Sequence, residues 1–482
     1  MRAPRTGSVD RISAPTISVR LVDRAVIEAL ASGEIVARLG RYTFSVGAFG
    51  TRVADRLSEL RTGLPLELVA LNKEIELLVR RLSGYGLVEY RLARPQGAED
   101  VVVIEPQIID YWPRTPQLGN ADRFVLSRFA YMRRRGHFMV LESPRAGALF
   151  KICDPKIATL VATLSNPQSV KELRLQDGFP GIAFFALLVD CRIIVNTDAA
   201  AESETREDAD TLTVWEFHDL LFHARSTQGR HANAVGALYP HAGLIAPLPA
   251  VRPAWPGKQI ALETFISGEA APAEGPARAT KSLWNHHSVR SFDNRRPVTL
   301  TELSQFLDLA ARVLSRSGET GKDDYEATTV RPYPCAGASY ELELYLAVNT
   351  CDGLARGFYH YDAGAHALTP IGVPADAFDA LLVGAAQAMG VHAAPQILIT
   401  IAARFGRVAW KYSSIAYALI LKDAGVLTQK LYLTAAELKL GGCAIGIANI
   451  DLFAKMTGLE FYVEGPVGQF ALGRAAKPDV LD

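Results

Sequence analysis

From Ile415 onward, apolar side chains recur at mixed steps of three and four: Leu419, Ile420, Val426, Leu427, Leu431, Leu433 and Leu438, with others filling between. That spacing lays apolar groups around most of a helix, so the stretch that follows Tyr412 and runs on to Gly442 predicts the longest helix of the chain, buried on most of its circumference. Shorter patterns surround it. Residues 35–39 and 41–46 flank Gly40 and read as a hairpin, 52–60 and 67–82 as amphipathic helices, and 85–90 as a closing strand. Farther on, 137–142 and 149–152 read as strands, 155–164 and 181–191 as helices, 192–195 as a strand and 211–230 as a helix. The stretch 124–132 suits a helix or a strand equally. Both regions run strand, helix, helix, strand, which predicts a structural repeat without sequence repetition.

Proline, alanine and glycine crowd 246–275 and predict a linker, past which the pattern changes. A helix capped by Thr299 or Thr301 runs to about residue 314. The polar stretch 316–329 reads as a loop. Strands are expected at 343–348, 357–361 (a sheet edge), 396–403 and 468–472, with helices at 378–388 and 451–457. Helices alternating with few strands over an apolar sheet predict an α+β core. The expected divisions are 21–110, 120–245, a linker at 246–278 and 279–482, after a lead-in over 1–20 without periodicity. The first two have the strand and helix order of small winged-helix-like modules. Such folds often bind DNA, but the candidate recognition helix 67–82 carries Glu67, Glu74 and Glu76, which oppose phosphate contacts.

Composition changes this picture by exclusion. With 51 basic and 51 acidic residues the formal net charge is zero, so neither nucleic acid nor an anionic membrane surface is an expected partner. No run of eighteen apolar residues occurs, and Met1-Arg2-Ala3-Pro4-Arg5 leads into no signal core. Five cysteines (Cys153, Cys191, Cys335, Cys351 and Cys443) are scattered without a CxxC pair, which argues against a disulfide scaffold or a metal site. A cytoplasmic, multi-domain protein is expected.

Three stretches could carry chemistry. Lys411 and Tyr412 stand side by side at the mouth of the long helix. Burial and a neighbouring cation act on a phenol in opposite directions, so such a pair is a candidate for proton transfer near neutral pH. The alternative is a snorkelling lysine beside a packed tyrosine. Asn285-His286-His287-Ser288-Val289-Arg290 groups imidazoles, a hydroxyl and a guanidinium suited to phosphate. Residues 334–338 have small side chains that let backbone N–H groups approach a flat ligand. Walker, GxGxxG, HExxH and GxSxG patterns are absent.

These stretches carry a resemblance. Ser288-Val289-Arg290-Ser291-Phe292 with Pro297-Val298-Thr299-Leu300 resembles the start of a nitroreductase-type flavoprotein domain. Arg331-Pro332-Tyr333-Pro334-Cys335-Ala336-Gly337-Ala338-Ser339-Tyr340 and Gly357-Phe358-Tyr359-His360-Tyr361 are similar to the SagB-type dehydrogenases of that group. Lys411-Tyr412, Asp423-Ala424-Gly425, Gln429-Lys430-Leu431-Tyr432-Leu433 and Ala471-Leu472-Gly473-Arg474 follow in order, so the likeness covers roughly 280–475. The run 213–223, with Arg225 and Gly229-Arg230, resembles the cyanobactin-type thiazoline oxidases.

The resemblance implies a C-terminal nitroreductase-like FMN domain preceded by two small winged-helix-like peptide-clamp modules. It also implies a homodimer with FMN at each subunit interface. The implied activity is oxidation of azoline (thiazoline or oxazoline) rings to azoles in a ribosomally made precursor peptide. A flavin oxidoreductase acting on a different small-molecule or amino-acyl substrate is the alternative, and a cyclodehydratase is a partner the family allows. Lys411 and Tyr412 fall at the family's catalytic pair. His286, Ser288 and Arg290 fall at its phosphate-binding start, with His286 in place of the usual arginine. Arg474 falls at the C-terminal phosphate contact. Pro334, Cys335, Ala336 and Gly337 fall where backbone lies along the isoalloxazine, with Cys335-Ala336 where serine-glycine is frequent. Gln429, Gly441 and Gly442 fall beside the flavin.

Overall fold

The computed structural model describes residues 16–476 except 24, 40–41, 51–52, 54–55, 95–98, 109–110, 198–209, 228–229, 232–236, 238, 266–286 and 318–326. The chain forms two compact units, Met1–Val235 and Gly236–Asp482.

In the first unit one order of elements occurs twice. Strand Thr16–Leu21 is followed by strands Val26–Ala29, Glu34–Leu39 and Tyr42–Ala48, helix Leu57–Thr62 and the short strand Leu64–Pro65. Helices Leu66–Ala70 and Lys73–Gly84 and strand Val88–Ala93 complete the first copy. The second opens with strand Arg123–Leu126 and strands Tyr131–Arg135, Phe138–Glu142 and Ala148–Ile152. It closes with helix Pro155–Thr163, the short strand Gln168–Ser169, helices Val170–Leu173 and Ile182–Asp190, and strand Ile194–Asn196. In both copies the opening strand lies between the short strand and the last one. The expected repeat is therefore more extensive than its four sequence-visible elements. It is not two separate modules at 21–110 and 120–245. Strand Asp100–Pro106, buried along almost its whole length, pairs with Val88–Ala93 and with Ala148–Ile152. Elements of both copies thus share one seven-stranded sheet and one core.

Local chemistry breaks helices that periodicity ran together. Asn72 is extended and accepts from the Glu74 and Ile75 N–H groups, capping a new helix in the middle of 67–82. The expected helix 211–230 is interrupted between Asp210–Thr213 and Phe217–Arg225, where Trp215 stacks on His223. Thr16–Leu21, expected in the lead-in, is a paired strand. The acidic run at 198–209 lies outside the described residues.

The second unit is built on an antiparallel seven-stranded sheet. Its order is Ile260–Ala261, Ala367–Ile371, Gly357–Asp362, Leu342–Val348, Ile397–Arg404, Glu464–Gly473 and Gly441–Ile445. Leu342–Val348 and Ile397–Arg404 are buried at every position, since successive side chains point to opposite faces and both faces are covered. Leu344, Leu346, Ile399 and Ile401 pack with helices Leu300–Ala311 and Ala416–Glu437; Tyr345, Leu398 and Ala402 pack with Ala375–Met389 and Ile450–Thr457. This is the α+β arrangement expected.

Three expectations change. The stretch read as a linker from 246 is, as far as residue 265, part of this unit. Ile260–Ala261 is the edge strand, so Gly357–Asp362 is interior, and the Leu248 and Pro249 carbonyls accept from the buried Arg407 and Arg404. Proline-rich chain runs extended and leaves such carbonyls free to accept. The long helix is Ala416–Glu437, shorter at both ends than the stretch expected between Tyr412 and Gly442; Ser414 (φ 66°) and Lys439 (φ 56°) take left-handed conformations just outside it. Ser315–Ser317 pairs with Thr328–Val330 inside the stretch read as a loop. No helix among the described residues is long and apolar enough to cross a membrane.

Candidate active site

The loop 334–338 has an unusual backbone. Cys335 is extended, Gly337 takes φ 56° and ψ 26°, and Ala338 and Tyr340 have φ 54° and 43°. Left-handed non-glycine residues persist only where their surroundings over-determine them. Here a buried cluster does so. Asp423, reaching from the long helix, accepts from the Ala336 N–H at 3.1 Å. The Cys335 thiol lies 3.2 Å from Asp423 and 3.3 Å from Glu341, and the Tyr340 N–H donates to its sulfur at 3.1 Å. Arg407, itself buried, donates to the Ser339 carbonyl.

Burial, then the two carboxylates, pushes the Cys335 thiol far above its ordinary range, so it remains a donor. Burial and the Asp423 charge raise Glu341 to about 7. One thiol and two carboxyl groups within 4.8 Å have the composition of a small metal site where spacing indicated none. Within the cluster the thiol donates and the carboxyl oxygens accept.

The loop meets the lysine–tyrosine pair. Lys411 is only 8% exposed, and its Nζ donates to the Gly337 carbonyl at 2.8 Å. A Cβ at Gly337 would fall on the Tyr412 hydroxyl and 3.1 Å from Lys411 Nζ. Only glycine serves here, both for the left-handed φ and for this approach. Pro334 and Gly337 present the loop's exposed side. The structure therefore brings Lys411, Tyr412, Cys335, Ala336 and Gly337 together.

The remaining expected residues gather elsewhere. Ser288 bridges Gly442, and the Val289 N–H donates to the Gly442 carbonyl at 2.8 Å. Tyr432 joins them, 2.9 Å from Ser288 Oγ, while accepting from the Ala444 N–H at 2.8 Å. Gly441 leaves room for Val289, whose side chain would stand 2.6 Å from an added Cβ, and Gly442 for the Phe470 ring. The Arg474 guanidinium donates to both Glu302 oxygens at 2.7 Å, so much of its charge is met within the protein. Arg290 and Gln429 are exposed. His286 lies outside the described residues.

Asp423 and Tyr432, nine residues apart on one helix, are separated by about 14 Å of rise and half a turn of azimuth. The two clusters thus face opposite sides of that helix. Sequence reasoning assigned no role to Asp423, Glu341, Tyr432 or Glu302. A lone aspartate among Ile420, Ala424 and Leu427 on an apolar helix was the available signal for the first.

The fold is an α+β domain preceded in the chain by a repeated strand-and-helix unit, and it can be compared with known proteins. The nitroreductase family model matches residues 284–474, and the model described as cyanobactin oxidase ThcOx matches 124–232. A protein named as a nitroreductase in Methanocaldococcus jannaschii is 30% identical over 164 residues, 34% of this chain and 76% of that one. Among solved structures, one named as a nitroreductase from Ralstonia eutropha is 22% identical, covering 48% of this chain and 95% of its own, with a TM-score of 0.34. The Escherichia coli microcin synthetase McbBCD complex with truncated pro-MccB17 bound is 19% identical over 45% of this chain and 79% of that one, with a TM-score of 0.32. The chain belongs to the nitroreductase family and is an oxidoreductase.

Proposed function

We propose that the protein is an FMN-dependent dehydrogenase that oxidises azoline rings to azoles in a ribosomally made, modified peptide. The observation that carries this reading is the convergence of Lys411, Tyr412 and the side-chain-free Gly337 on one spot. The cyanobactin-oxidase match over 124–232 supports a peptide substrate, with the repeated first unit as its clamp.

The residues suit a flavin. A wall of small side chains is what a flat ring system needs, and the cluster behind 335–336 holds that wall rigid. Pro334, Cys335, Ala336 and Gly337 would line the ring. Ser288 and Arg290 would take the phosphate, with Arg474 held near them by Glu302. Gln429, Gly441 and Gly442 complete the set. The opposed placement of the two clusters on the long helix supports a homodimer in which each site takes one cluster from each copy. FMN, when bound, supplies the acceptor for the hydride that leaves the ring carbon Cβ, and oxygen restores it.

The protein's own part is the proton. Tyr412 Oη takes the proton from the azoline Cα, and the Lys411 ammonium beside it favours the charged phenol oxygen. The Gly337 carbonyl holds Lys411 in register. Purified protein incubated with an azoline peptide should produce a mass loss of two hydrogens per ring. The Lys411→Ala, Tyr412→Phe double variant should stay yellow and make no azole. Turnover of that variant at the parental rate would sink the assignment.

A further inference from the structure

The chain enters the second unit through residues that lie against the catalytic pair. Ala237 forms an antiparallel bridge with Tyr412, and the Tyr239 N–H donates to the Lys411 carbonyl at 3.1 Å. The Tyr239 ring lies 5.7 Å from Lys411 Nζ and packs edge-on to Trp410 at 5.4 Å. The Trp410 indole N–H in turn donates to the Ile245 carbonyl at 2.8 Å. Between these points the Ala242 N–H returns to Tyr239, and the Leu244 and Ile245 N–H groups return to His241, all at 3.0 Å. Residues 237 and 239–245 are thus fastened across 410–412 at both ends as a short bracket. Tyr239 has φ 49°, a conformation a bulky residue keeps only where its surroundings impose it.

We propose that Tyr239 is a positioning residue whose ring face holds the Lys411 ammonium against the Gly337 carbonyl. A lysine ammonium on a four-carbon stem is a compact charge with three rotatable donors, so its position depends on every group that surrounds it. An aromatic face within about 6 Å attracts the cation and narrows its range of positions. Lys411 has little exposure, so the attraction is screened less than at an open surface. The bracket fixes the ring through backbone bonds rather than through side-chain packing alone. This inference rests on the reading of Lys411 and Tyr412 as the proton-transferring pair, but Tyr239's hold on the amine is measurable without turnover.

The test places phenylalanine and phenylalanines carrying one to five ring fluorines at position 239 of the full-length protein. Fluorination drains the negative ring face while shape and packing change little. The readout is the rate at which acetic anhydride acylates Lys411, followed by peptide mass spectrometry, alongside kcat and KM on an azoline peptide. Tyr239→Phe should match the parent within about twofold. Acylation should then accelerate with each fluorine, reaching roughly two- to thirtyfold for the pentafluoro ring and for Tyr239→Leu. KM and the melting temperature should stay put while kcat falls. A flat acylation series, or a Phe variant as altered as the Leu variant, overturns the proposal. An accelerating series in a protein that converts no azoline supports the role of Tyr239 and removes the proposed reaction instead.

Discussion

Asp423 is one carboxylate on a buried helix face, yet the shape of the loop at 334–338 depends on it. It meets the Ala336 N–H and the Cys335 thiol together, and Glu341 shares the thiol from the other side. The arrangement suits a pair of carboxyls with a proton to spare. Because burial and the Asp423 charge raise Glu341 in the fold from its ordinary 4.5 to about 7, the folded chain keeps a proton that the unfolded chain releases. The sign follows from linkage: this contribution is fully present below 4.5 and is lost as pH rises through about 7. Urea unfolding across that window should show stability falling, and Glu341→Gln should flatten this part of the slope. A variant with the parental slope would remove Glu341 from the account.

Among the elements, the short helix Phe405–Ala409 does more than its length suggests. Its Arg407 is buried and donates to the Leu248, Ala327 and Ser339 carbonyls. One guanidinium thus ties three segments to the sheet: the proline-rich stretch, the Thr328–Val330 hairpin and the chain that follows the loop at 334–338. Arg407→Leu would keep much of the volume and leave these carbonyls without that donor, at about 1–3 kcal/mol for each buried group left unmet. Only the Ser339 carbonyl is fully buried, so a loss of at least roughly 1 kcal/mol in chemical unfolding is expected, with weaker FMN retention because Ser339 adjoins the loop. A change below about 0.5 kcal/mol, the range of ordinary surface substitutions, would show the staple to be incidental.

For the whole molecule, the long helix separates the two clusters by half a turn, and the dimer proposed above would bring one cluster from each copy together. The proposed dimer predicts that FMN-loaded protein sediments at twice the 52.3 kDa chain mass. Diluting it to the monomer should release the flavin, which fluorescence would follow. Tight FMN binding by a stable monomer would contradict the shared site. Much of this molecule was legible beforehand. The apolar runs at 343–348 and 396–403 announced central strands, and the breaker-poor stretch after Lys411 announced the long helix. Less legible were features that depend on distant partners, such as the strand Ile260–Ala261 hidden in a proline-rich stretch.

Periodicity in the amino-acid sequence alone determined the α+β class of the back half and its longest helix, and ordered motifs carried its resemblance to the nitroreductase family. Those properties are local, since backbone propensity and the spacing of apolar side chains act within a few residues. Tertiary structure alone decided that Gly337 must be bare, that Asp423 and Glu341 shape the loop behind it, and that Tyr239 stands over the amine. Glu341 apart, which lies six positions from Cys335, these join residues dozens to well over a hundred positions apart. Their contact is set by how the sheet and the long helix pack, which no local pattern encodes.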